Sequence, residues 1–353
     1  MTLLVHTASA QTAAPSAPEE LPEVSVSGAA APSTTVNDPH QVLSIGKTST
    51  PLEDLPASVQ VVPSQVVTDQ GGKSLSNAII NTSGVSNGGQ DGFGVTDNFL
   101  IRGLNARVYN DGFSEGDQRN NVPNSLNGVQ RIEVLEGPGS ALFGSGPPGG
   151  SINLVHYTPS SVLHYGAGLQ IGAFGSVFNT YYITGPTTIP GLNYRVDAMI
   201  QHSDGFRDLN AGDYEIRPAF DWVIGDHDVT FSLDVRRITG TPDPAGLIYL
   251  HGSPIQSVPI ETKYSTPFAF ANQTVVRPTL ADTWTVTDYL TVTNRFQYEH
   301  RDYDVLRNSD SGTVVGTQLT GRQLRQQTDH DDTFDYQFEP VWKFPTGDRK
   351  SVV

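Results

Sequence analysis

The chain has 353 residues and a formal net charge of −16 at pH 7, which argues against nucleic-acid binding because that needs a basic surface. Charged residues make up only 16% of the sequence, against about 25% in a typical soluble domain, yet no apolar run is long enough for a transmembrane helix. Few charges without a helical span leave an all-β protein whose outer face could meet lipid, and the absence of cysteine excludes disulfides, zinc–thiolate sites and cysteine nucleophiles.

The N-terminal segment predicts a processed leader followed by a tether. Ala8-Ser9-Ala10 before Gln11 has the small-x-small form of a signal-peptidase site, so residues 1–10 are interpreted as a signal-peptide remnant. A disordered Ala/Ser-rich tail is the alternative. Residues 11–46 are rich in Ala, Pro, Ser and Thr and predict a flexible tether. Inside it, residues 21–28 (LPEVSVSG) alternate valine with serine, the pattern of a strand that can add to another protein's sheet edge.

Residues 47–158 predict a small α/β domain with short elements. The expected elements are a strand at 58–62, a helix at 74–80, a strand at 98–105, a turn at 110–112 and a helix at 125–129.

A glycine-rich stretch, QRIEVLEGPGSALFGSGPPGGSINLV, covers residues 130–155. Ile132 to Leu135 and Ser151 to Val155 predict two strands, with one helical turn at Ser140 to Phe143 between them. A P-loop would need a glycine followed by Lys and Ser/Thr, and this run contains no lysine. Gly72-Lys73-Ser74 has the end of that motif without its first glycine, so nucleotide binding is not indicated.

Residues 159–353 predict long amphipathic strands. Apolar and polar residues alternate with a period of two in segments 163–173, 192–202, 214–224, 228–237, 290–299 and 333–343. Strands of about ten residues tilted ~45° span a bilayer, whereas strands of soluble sandwiches are usually about 5–6 residues long. Tyr194, Tyr214, Trp222 and Trp342 near strand ends suit interfacial girdles, although half-buried strand positions are the alternative.

The strand count predicts an incomplete antiparallel transmembrane barrel. We expect eight or nine strands in this region, with short turns such as Gly225-Asp226 alternating with long loops such as 239–272. Plugged outer-membrane transporters have about 22 strands, and an open sheet edge is not tolerated in lipid. The 353 residues are therefore expected to be the N-terminal part of a longer receptor or a truncated product.

Two His/Asp motifs were considered as metal sites. Asp329-His330-Asp331-Asp332 is predicted to lie in a solvated loop between strands, and Asp226-His227-Asp228 in a tight turn. Neither favours metal binding, and no nucleophile elbow is present. We therefore expect no enzyme activity, no catalytic residues, no metal site and no cofactor.

Four motifs in order resemble TonB-dependent outer-membrane receptors of the ferric-siderophore type. Residues 21–28 are similar to a TonB box, residues 48–62 (TSTPLEDLPASVQVV) resemble the start of a plug domain, and residues 98–105 (NFLIRGLN) resemble the family's IRG strand. Residues 131–155 are similar to its late-plug signature, with Glu136 where arginine is usual and Phe143 where tyrosine is usual. The resemblance covers about residues 21–158 and implies a plug domain at 47–158 followed by the N-terminal part of a β-barrel at 159–353 in the bacterial outer membrane.

The resemblance also implies partners and site residues. Binding of the periplasmic protein TonB would use Glu23, Val24, Ser25, Val26 and Ser27. A ferric siderophore would contact loop residues, for which the candidates are Gln90, Asp91, Phe93, Gln118 and Arg119. Its iron is already saturated by chelate oxygens, so amide, guanidinium and aromatic groups are needed rather than metal ligands. Two alternatives remain open: an inactive receptor remnant, and a β-rich outer-membrane signalling or adhesion protein without transport.

Overall fold

The computed structural model describes most of the chain from His40 to Val352. The described residues are 40–47, 50–90, 97–115, 122–139, 146–242, 249–250, 253–254, 261, 263, 265–308, 313–315, 318–346 and 349–352. Within these ranges, no helix combines the length and apolar character needed to cross a membrane. The predicted signal-peptide remnant and the TonB-box segment lie outside them.

The first part of the described chain, residues 40–158, forms a unit that we call the small domain. Its strands are β1 (Ser58–Pro63), β2 (Val85–Gln90), β3 (Asp97–Ile101), β4 (Leu104–Asn110), β5 (Phe113–Ser114), β6 (Val129–Glu136) and β7 (Gly150–His156). Helix α1 (Ser64–Asp69) follows β1 directly, and helix α2 (Leu75–Ala78) is capped by the Ser74 hydroxyl, which accepts from the Asn77 backbone N–H. Short 3-10 helices lie at Ser44–Gly46 and Leu52–Asp54.

These strands make one sheet with β6 and β7 near its centre. The order is β1-β6-β7-β4-β3-β2, with β5 beside β4, and only the β4–β7 pair is parallel among the described strands. Both central strands are buried along most of their length, and Ile132, Val134, Ile152 and Leu154 pack into the main apolar core. The apolar run in residues 131–155 therefore reflects strands covered on both faces.

The glycine pair before β7 lets this strand enter between its neighbours. A Cβ on Gly149 would lie 2.3 Å from the Leu104 carbonyl oxygen, and one on Gly150 would lie 2.1 Å from the Leu135 carbonyl oxygen. No larger residue fits at either position without moving backbone. The two glycines therefore fix where the most buried strand of the small domain begins.

Two expectations for the small domain are wrong. Residues 98–105 are not one strand, because Arg102 and Gly103 have φ of 53° and 78° and turn the chain from β3 into β4. Residues 125–129 are not a helix: 122–126 lack regular structure, Val129 begins β6, and the Pro123 carbonyl and the Asn127 side chain bond to a neighbouring sheet. The turn at 110–112 is present as expected, and the helical turn expected at 140–143 lies outside the described residues.

The second part of the described chain forms a nine-stranded antiparallel sheet that we call the long sheet. Its first strands are β8 (His164–Ile171), β9 (Val177–Pro186), β10 (Leu192–Ser203), β11 (Ala211–Ile224) and β12 (His227–Gly240). Two separate small hairpins pair β13 (Tyr249–Leu250) with β14 (Ser253–Pro254) and β17 (Thr313–Val315) with β18 (Gln318–Thr320). The remaining strands of the sheet are β15 (Phe270–Thr287), β16 (Leu290–Asn308), β19 (Leu324–Thr346) and β20 (Arg349–Val352).

Each strand of the long sheet pairs with the strand of the same sheet that follows it in the chain, as in an up-and-down barrel wall. The turn between β11 and β12 and the turn between β15 and β16 have two residues each, whereas β12 and β15 are separated by residues 241–269. The expected mainly β fold, an α/β domain followed by eight or nine barrel strands, is confirmed. Several strands are longer than the ten residues expected, up to the 23 residues of β19.

The long sheet exposes apolar side chains on its outer face and buries charged side chains on its inner face, the reverse of a soluble protein. The outward positions of β11 and β19 expose Phe220, Trp222, Phe334, Tyr336 and Phe338, the last three at 68%, 65% and 58%. The opposite face buries charged side chains, namely Arg195, Asp197, Glu215, Arg217, Arg236, Arg277 and Arg301. A contiguous exposed apolar face of this kind belongs in lipid, and a polar inner face is typical of outer-membrane barrels.

The Asp329–Asp332 motif lies in a strand and not in a loop, whereas Asp226 of the other motif lies in the two-residue turn between β11 and β12, as expected. Residues 329–332 are in the middle of β19 and pair with β16, so the expectation of a solvated loop is wrong. The strand period separates their side chains: Asp331 faces inward to Arg301, while His330 and Asp332 face outward and pair with Asp302 and His300. His227 begins β12 and stacks on Trp284. Across the described residues, no group of His, Cys, Asp and Glu side chains is arranged to hold a metal ion.

The outward aromatic face predicts a position-dependent cost for added charge. Replacing Phe338, in the middle of the exposed apolar segment of β19, with arginine should lower the free energy of unfolding in lipid vesicles by about 2–4 kcal/mol. Gln326→Arg, on the same strand beyond the apolar segment, should cost about 1 kcal/mol or less. Urea titration followed by gel mobility measures both. Equal losses for the two variants would contradict the assignment of this face to lipid.

Candidate functional site

The small domain contacts the inner face of the long sheet through polar groups. The contacts are Lys73 with Ser176, Asn127 with Glu215, Asp111 with Arg217, the Pro123 carbonyl with Arg236, Glu115 with Arg277, the Asp111 carbonyl with Arg295, the Gly112 carbonyl with Gln337, and Lys47 with Glu339. These partners come from the start of β9 through β19, so the sheet must curve around the small domain. We take this polar interface as the candidate functional site.

Two buried arginines hold the ends of the segment that carries Gln118 and Arg119. Arg277 Nη2 lies 3.1 Å from Glu115 and 2.5 Å from Glu299, and its Nη1 lies 3.5 Å from Asp234. On the adjacent strand, Arg236 donates to the Pro123 carbonyl oxygen and lies 2.5 Å from Asp213.

The two arginines therefore anchor Glu115 and Pro123, on either side of residues 116–121, to neighbouring strands. This matters because each guanidinium is itself held by carboxylates of the long sheet. Arginine's planar fork suits such multiple carboxylate contacts better than lysine would. The segment between the anchors lies outside the described residues.

The buried Glu115 carboxylate lies close both to an arginine and to other carboxylates. Burial raises the pKa of Glu115, Arg277 opposes that rise, and the neighbouring Glu299 and Asp234 carboxylates add to it. Asn110 Nδ2 also donates to Glu115. The contact between this end of the segment and the long sheet therefore includes a carboxyl that takes up a proton more readily than an exposed glutamate.

A second group of contacts is built on the β4–β5 turn. Asp111 and Gly112 both have positive φ, 47° and 84°, which turns the Asp111 side chain toward the long sheet. Its carboxylate accepts from the His156 backbone N–H at 2.9 Å, from His156 Nδ1 at 2.9 Å and from Arg217 at 3.0 Å. Although burial acts against ionisation, His156 and Arg217 hold the pKa of Asp111 well below its usual range.

The third group lies where the tether meets the small domain, at residues 40–47, which we call the tether root. Leu43 and Ile45 are buried against Val61 and Leu135. The fully buried Glu133 carboxylate accepts from the Ser44 backbone N–H at 3.0 Å and from the Ile45 backbone N–H at 2.8 Å. Two residues further on, Lys47 reaches β19.

A cavity lies between the small domain and the first strands of the long sheet. It has a volume of about 330 Å³ and is lined by Val67 of α1 and by Gly168, Phe178 and Tyr182 of β8 and β9. The inward positions Gly166 and Gly168 have no side chains, and the Tyr182 ring covers Gly166, where a Cβ would lie 2.5 Å from it. Close packing between the small domain and the sheet is therefore incomplete on this side.

Most of the predicted site residues lie outside the described residues. This holds for Glu23, Val24, Ser25, Val26 and Ser27, and for Asp91, Phe93, Gln118 and Arg119. Gln90 is the last residue of β2, and its backbone pairs with Asp97 of β3. The structure thus positions the flanks of both predicted ligand segments.

Sequence reasoning missed the residues that tie the small domain to the sheet. Arg236 and Glu215 lie at inward positions of strands predicted as amphipathic, where their charge indicates only a polar face, and Arg277 lies in β15, a strand that the sequence analysis did not predict. The available signal was arginine at inward positions of successive strands. Glu136, placed where the family has arginine, pairs with Arg102 inside the small domain.

Comparisons with known proteins agree with this architecture. The TonB-dependent Receptor Plug Domain family matches residues 51–151. The chain is 27% identical over 316 residues to the "Probable TonB-dependent siderophore receptor PiuA" of Acinetobacter baumannii, covering 84% of this chain and 42% of that protein. It is 30% identical over 183 residues to the "Metal-pseudopaline receptor CntO" of Pseudomonas aeruginosa, covering 50% of this chain and 25% of that protein.

Solved structures share the fold. The open form of the ferric-catecholate import receptor Fiu from Escherichia coli K12 superposes with a TM-score of 0.76 at 19% identity, covering 90% of this chain and 50% of that one. The siderophore receptor PiuA from A. baumannii gives a TM-score of 0.74 at 24% identity, covering 84% and 44%. The chain spans less than half the length of the curated relatives described above.

The low pKa of Asp111 predicts an acid-sensitive contact. A carboxyl with a depressed folded-state pKa contributes stability above its unfolded pKa, and that contribution is lost as the pH falls through the folded-state value. Asp111→Asn, which tolerates the positive φ, should lower the free energy of unfolding by about 2 kcal/mol near neutral pH. The difference between parent and variant should shrink below about pH 4.

Urea unfolding in lipid vesicles, at neutral and at acid pH, measures this difference. Asp54→Asn, at an exposed position of the small domain, is the matched control and should show little change at either pH. A loss in Asp111→Asn that stays the same across the acid range would show that its charge does not stabilise the interface.

Proposed function

The chain belongs to the TonB-dependent receptors, which are outer-membrane β-barrel proteins, and from this we propose that it serves active uptake of a ferric siderophore. The small domain acts as the plug, and the long sheet forms part of the barrel wall. The observation that carries the proposal is the polar interface between the two, with Arg236 and Arg277 at its centre.

A polar interface suits a plug that must move. Inside the small domain, apolar residues pack into a continuous core, whose exposure would be costly. Between the small domain and the long sheet, most contacts are hydrogen bonds and ion pairs, which water can replace at a small net free-energy cost. The domain can therefore shift as a folded unit, and the 330 Å³ cavity beside β8 and β9 leaves room on one side.

The proposed ligand residues fit a coordinatively saturated iron chelate. Gln90, Asp91, Phe93, Gln118 and Arg119 supply amide, carboxylate, aromatic and guanidinium groups. Such groups hydrogen-bond to and stack on a chelate without replacing its oxygen ligands. Glu115 and Pro123, which flank residues 116–121, are already held by Arg277 and Arg236, so ordering these flanks costs nothing further on binding.

Energy would reach the plug through TonB in the periplasm. Glu23 to Ser27 lie in the tether, upstream of the tether root that Glu133 holds. An extended Val-Ser alternation can pair with a sheet edge of TonB and transmit a pull to the plug. We infer that no catalysis is involved, since the relatives are receptors by name. No observation favours signalling or adhesion without transport.

Uptake measurements test the proposal and its ligand residues. Cells that display the receptor are given radiolabelled iron as a tris-catecholate or as a tris-hydroxamate complex, with and without a protonophore. We expect energy-dependent uptake of one complex, and Arg119→Ala should weaken its binding by about tenfold, which corresponds to about 1.4 kcal/mol. Arg102→Ala, at an exposed position of the β3–β4 turn where the arginine pairs with Glu136, is the control. Uptake of neither complex would overturn the siderophore assignment.

The TonB box predicts a backbone-dependent contact. Val24→Pro should abolish retention of the TonB C-terminal domain in a pull-down, because proline removes a ladder hydrogen-bond donor and fixes φ. Val24→Ile keeps the N–H and the β-branched side chain, so it should bind as the parent does. Undiminished binding of Val24→Pro would argue against strand pairing at this segment.

A further inference from the structure

Lys47 links the tether root to the long sheet. Its Nζ donates to Gln337 Oε1 at 3.2 Å and forms an ion pair with Glu339 on the same strand. The Lys47 and Glu339 side chains are only 18% and 23% exposed, so water screens this pair less than a surface pair. Lys47 has a φ of 52°, uncommon for a residue with a side chain, and its N–H bonds to the Ser44 carbonyl. The chain thus turns sharply at the residue that reaches the barrel wall.

Several contacts of the tether root go to the small domain itself. Glu133 holds the backbone of Ser44 and Ile45, and the Gln41 carbonyl accepts from the Leu52 N–H at 2.9 Å. These contacts travel with the small domain if it moves. The contact of Lys47 with β19 does not travel with the small domain, because β19 belongs to the long sheet. This contact must therefore break before the tether root leaves the wall.

The place where the tether enters the small domain decides which wall contact is loaded most directly. Of the small-domain residues that contact the long sheet in the described structure, Lys47 is the nearest to the tether; Lys73 and Asp111 follow. Tension applied upstream of residue 40 enters the small domain at Ser44 and Ile45, and among the wall contacts given above that of Lys47 lies nearest to this point of entry.

Gln337 joins the first contact to the next. Its Oε1 accepts from Lys47, and its Nε2 donates to the Gly112 carbonyl at 2.9 Å. Release of Lys47 removes one of the two contacts that hold the Gln337 amide in place. The Asp111–Gly112 turn then loses part of its support on the wall, although Arg217 and Arg295 still hold it.

We propose that Lys47, Gln337 and Glu339 form a latch that tension on the tether opens first, and that its opening loosens the Asp111–Gly112 turn. This inference rests on the proposed function, because it assumes a pull through the TonB box. The latch keeps the small domain seated until TonB engages. The apolar core and the Glu133 anchor stay intact, so the domain moves as a unit and does not peel from its N-terminal end.

A reversible crosslink across the latch tests the proposal. The natural sequence has no cysteine, so the double variant Lys47→Cys/Glu339→Cys carries the only thiols. Two long side chains bridge this gap, so a short reducible bis-thiosulfonate linker is used in place of a direct disulfide. Val42→Cys/Pro51→Cys is the matched control, because this bridge pair joins the tether root to the small domain and leaves the barrel wall free.

Crosslinking the latch should leave binding of the transported iron complex unchanged and reduce uptake to that of Val24→Pro. A reductant should restore uptake, and the control pair should transport whether crosslinked or not. Full uptake with the latch crosslinked would overturn the proposal. If the unmodified receptor takes up neither iron complex, the result counts against the proposed function and not against the latch. The latch is then tested by a measurement that does not depend on transport.

That measurement is single-molecule pulling on receptor in outer-membrane vesicles, through a handle at Ser16→Cys in the tether. The first rupture should occur at lower force in Lys47→Met than in the parent. Lys73→Met is the matched control, since Lys73 contacts Ser176 and Phe178 at another part of the wall, and its first rupture should match the parent's. A first rupture that is the same in parent and Lys47→Met would overturn the latch.

Discussion

The structure depends on the pairing of buried charges between the small domain and the inner face of the long sheet. Arg236 and Arg277 are shielded from water, and a buried guanidinium without partners would cost several kcal/mol. Carboxylates of three neighbouring strands and groups of the small domain satisfy them together. Because neither part satisfies these groups alone, the pairing fixes which face of the sheet turns inward and leaves the aromatic face to lipid.

The stability of the small domain's own fold and the stability of its attachment to the long sheet have different physical sources. The small domain holds itself together through an apolar core around β6 and β7, which Gly149 and Gly150 allow to pack at close range. It is held in the wall mainly by ion pairs and hydrogen bonds, each of modest net value. A domain built this way can leave its seat while staying folded, which is the physical requirement of a movable plug.

Hydrogen bonds also connect the tether root to the turn that faces the wall. Glu133 accepts from the Ser44 and Ile45 N–H groups, Asn153 Nδ2 donates to Glu133 at 3.3 Å, and Asn153 Oδ1 accepts from the Gly112 N–H at 3.0 Å. Gln337 closes the path from Gly112 back to Lys47. All of these side chains are buried or half-buried, so displacement at one end is passed on through a small, stiff set of groups.

The sequence by itself determined the local features of this protein. Alternation of apolar and polar residues identified most of the long strands, though not β9 or β15, since side chains of a strand point to opposite faces. The glycine-rich stretch marked the strands at the centre of the small domain. The tertiary structure alone decided which residues meet. Residues 125–129 are not helical because they bond to the wall, and Asp329 to Asp332 divide between two faces because β19 pairs with β16 far beyond the predicted span. Lys47 and Glu339 are distant in sequence, and only the curvature of the sheet around the small domain brings their charges together.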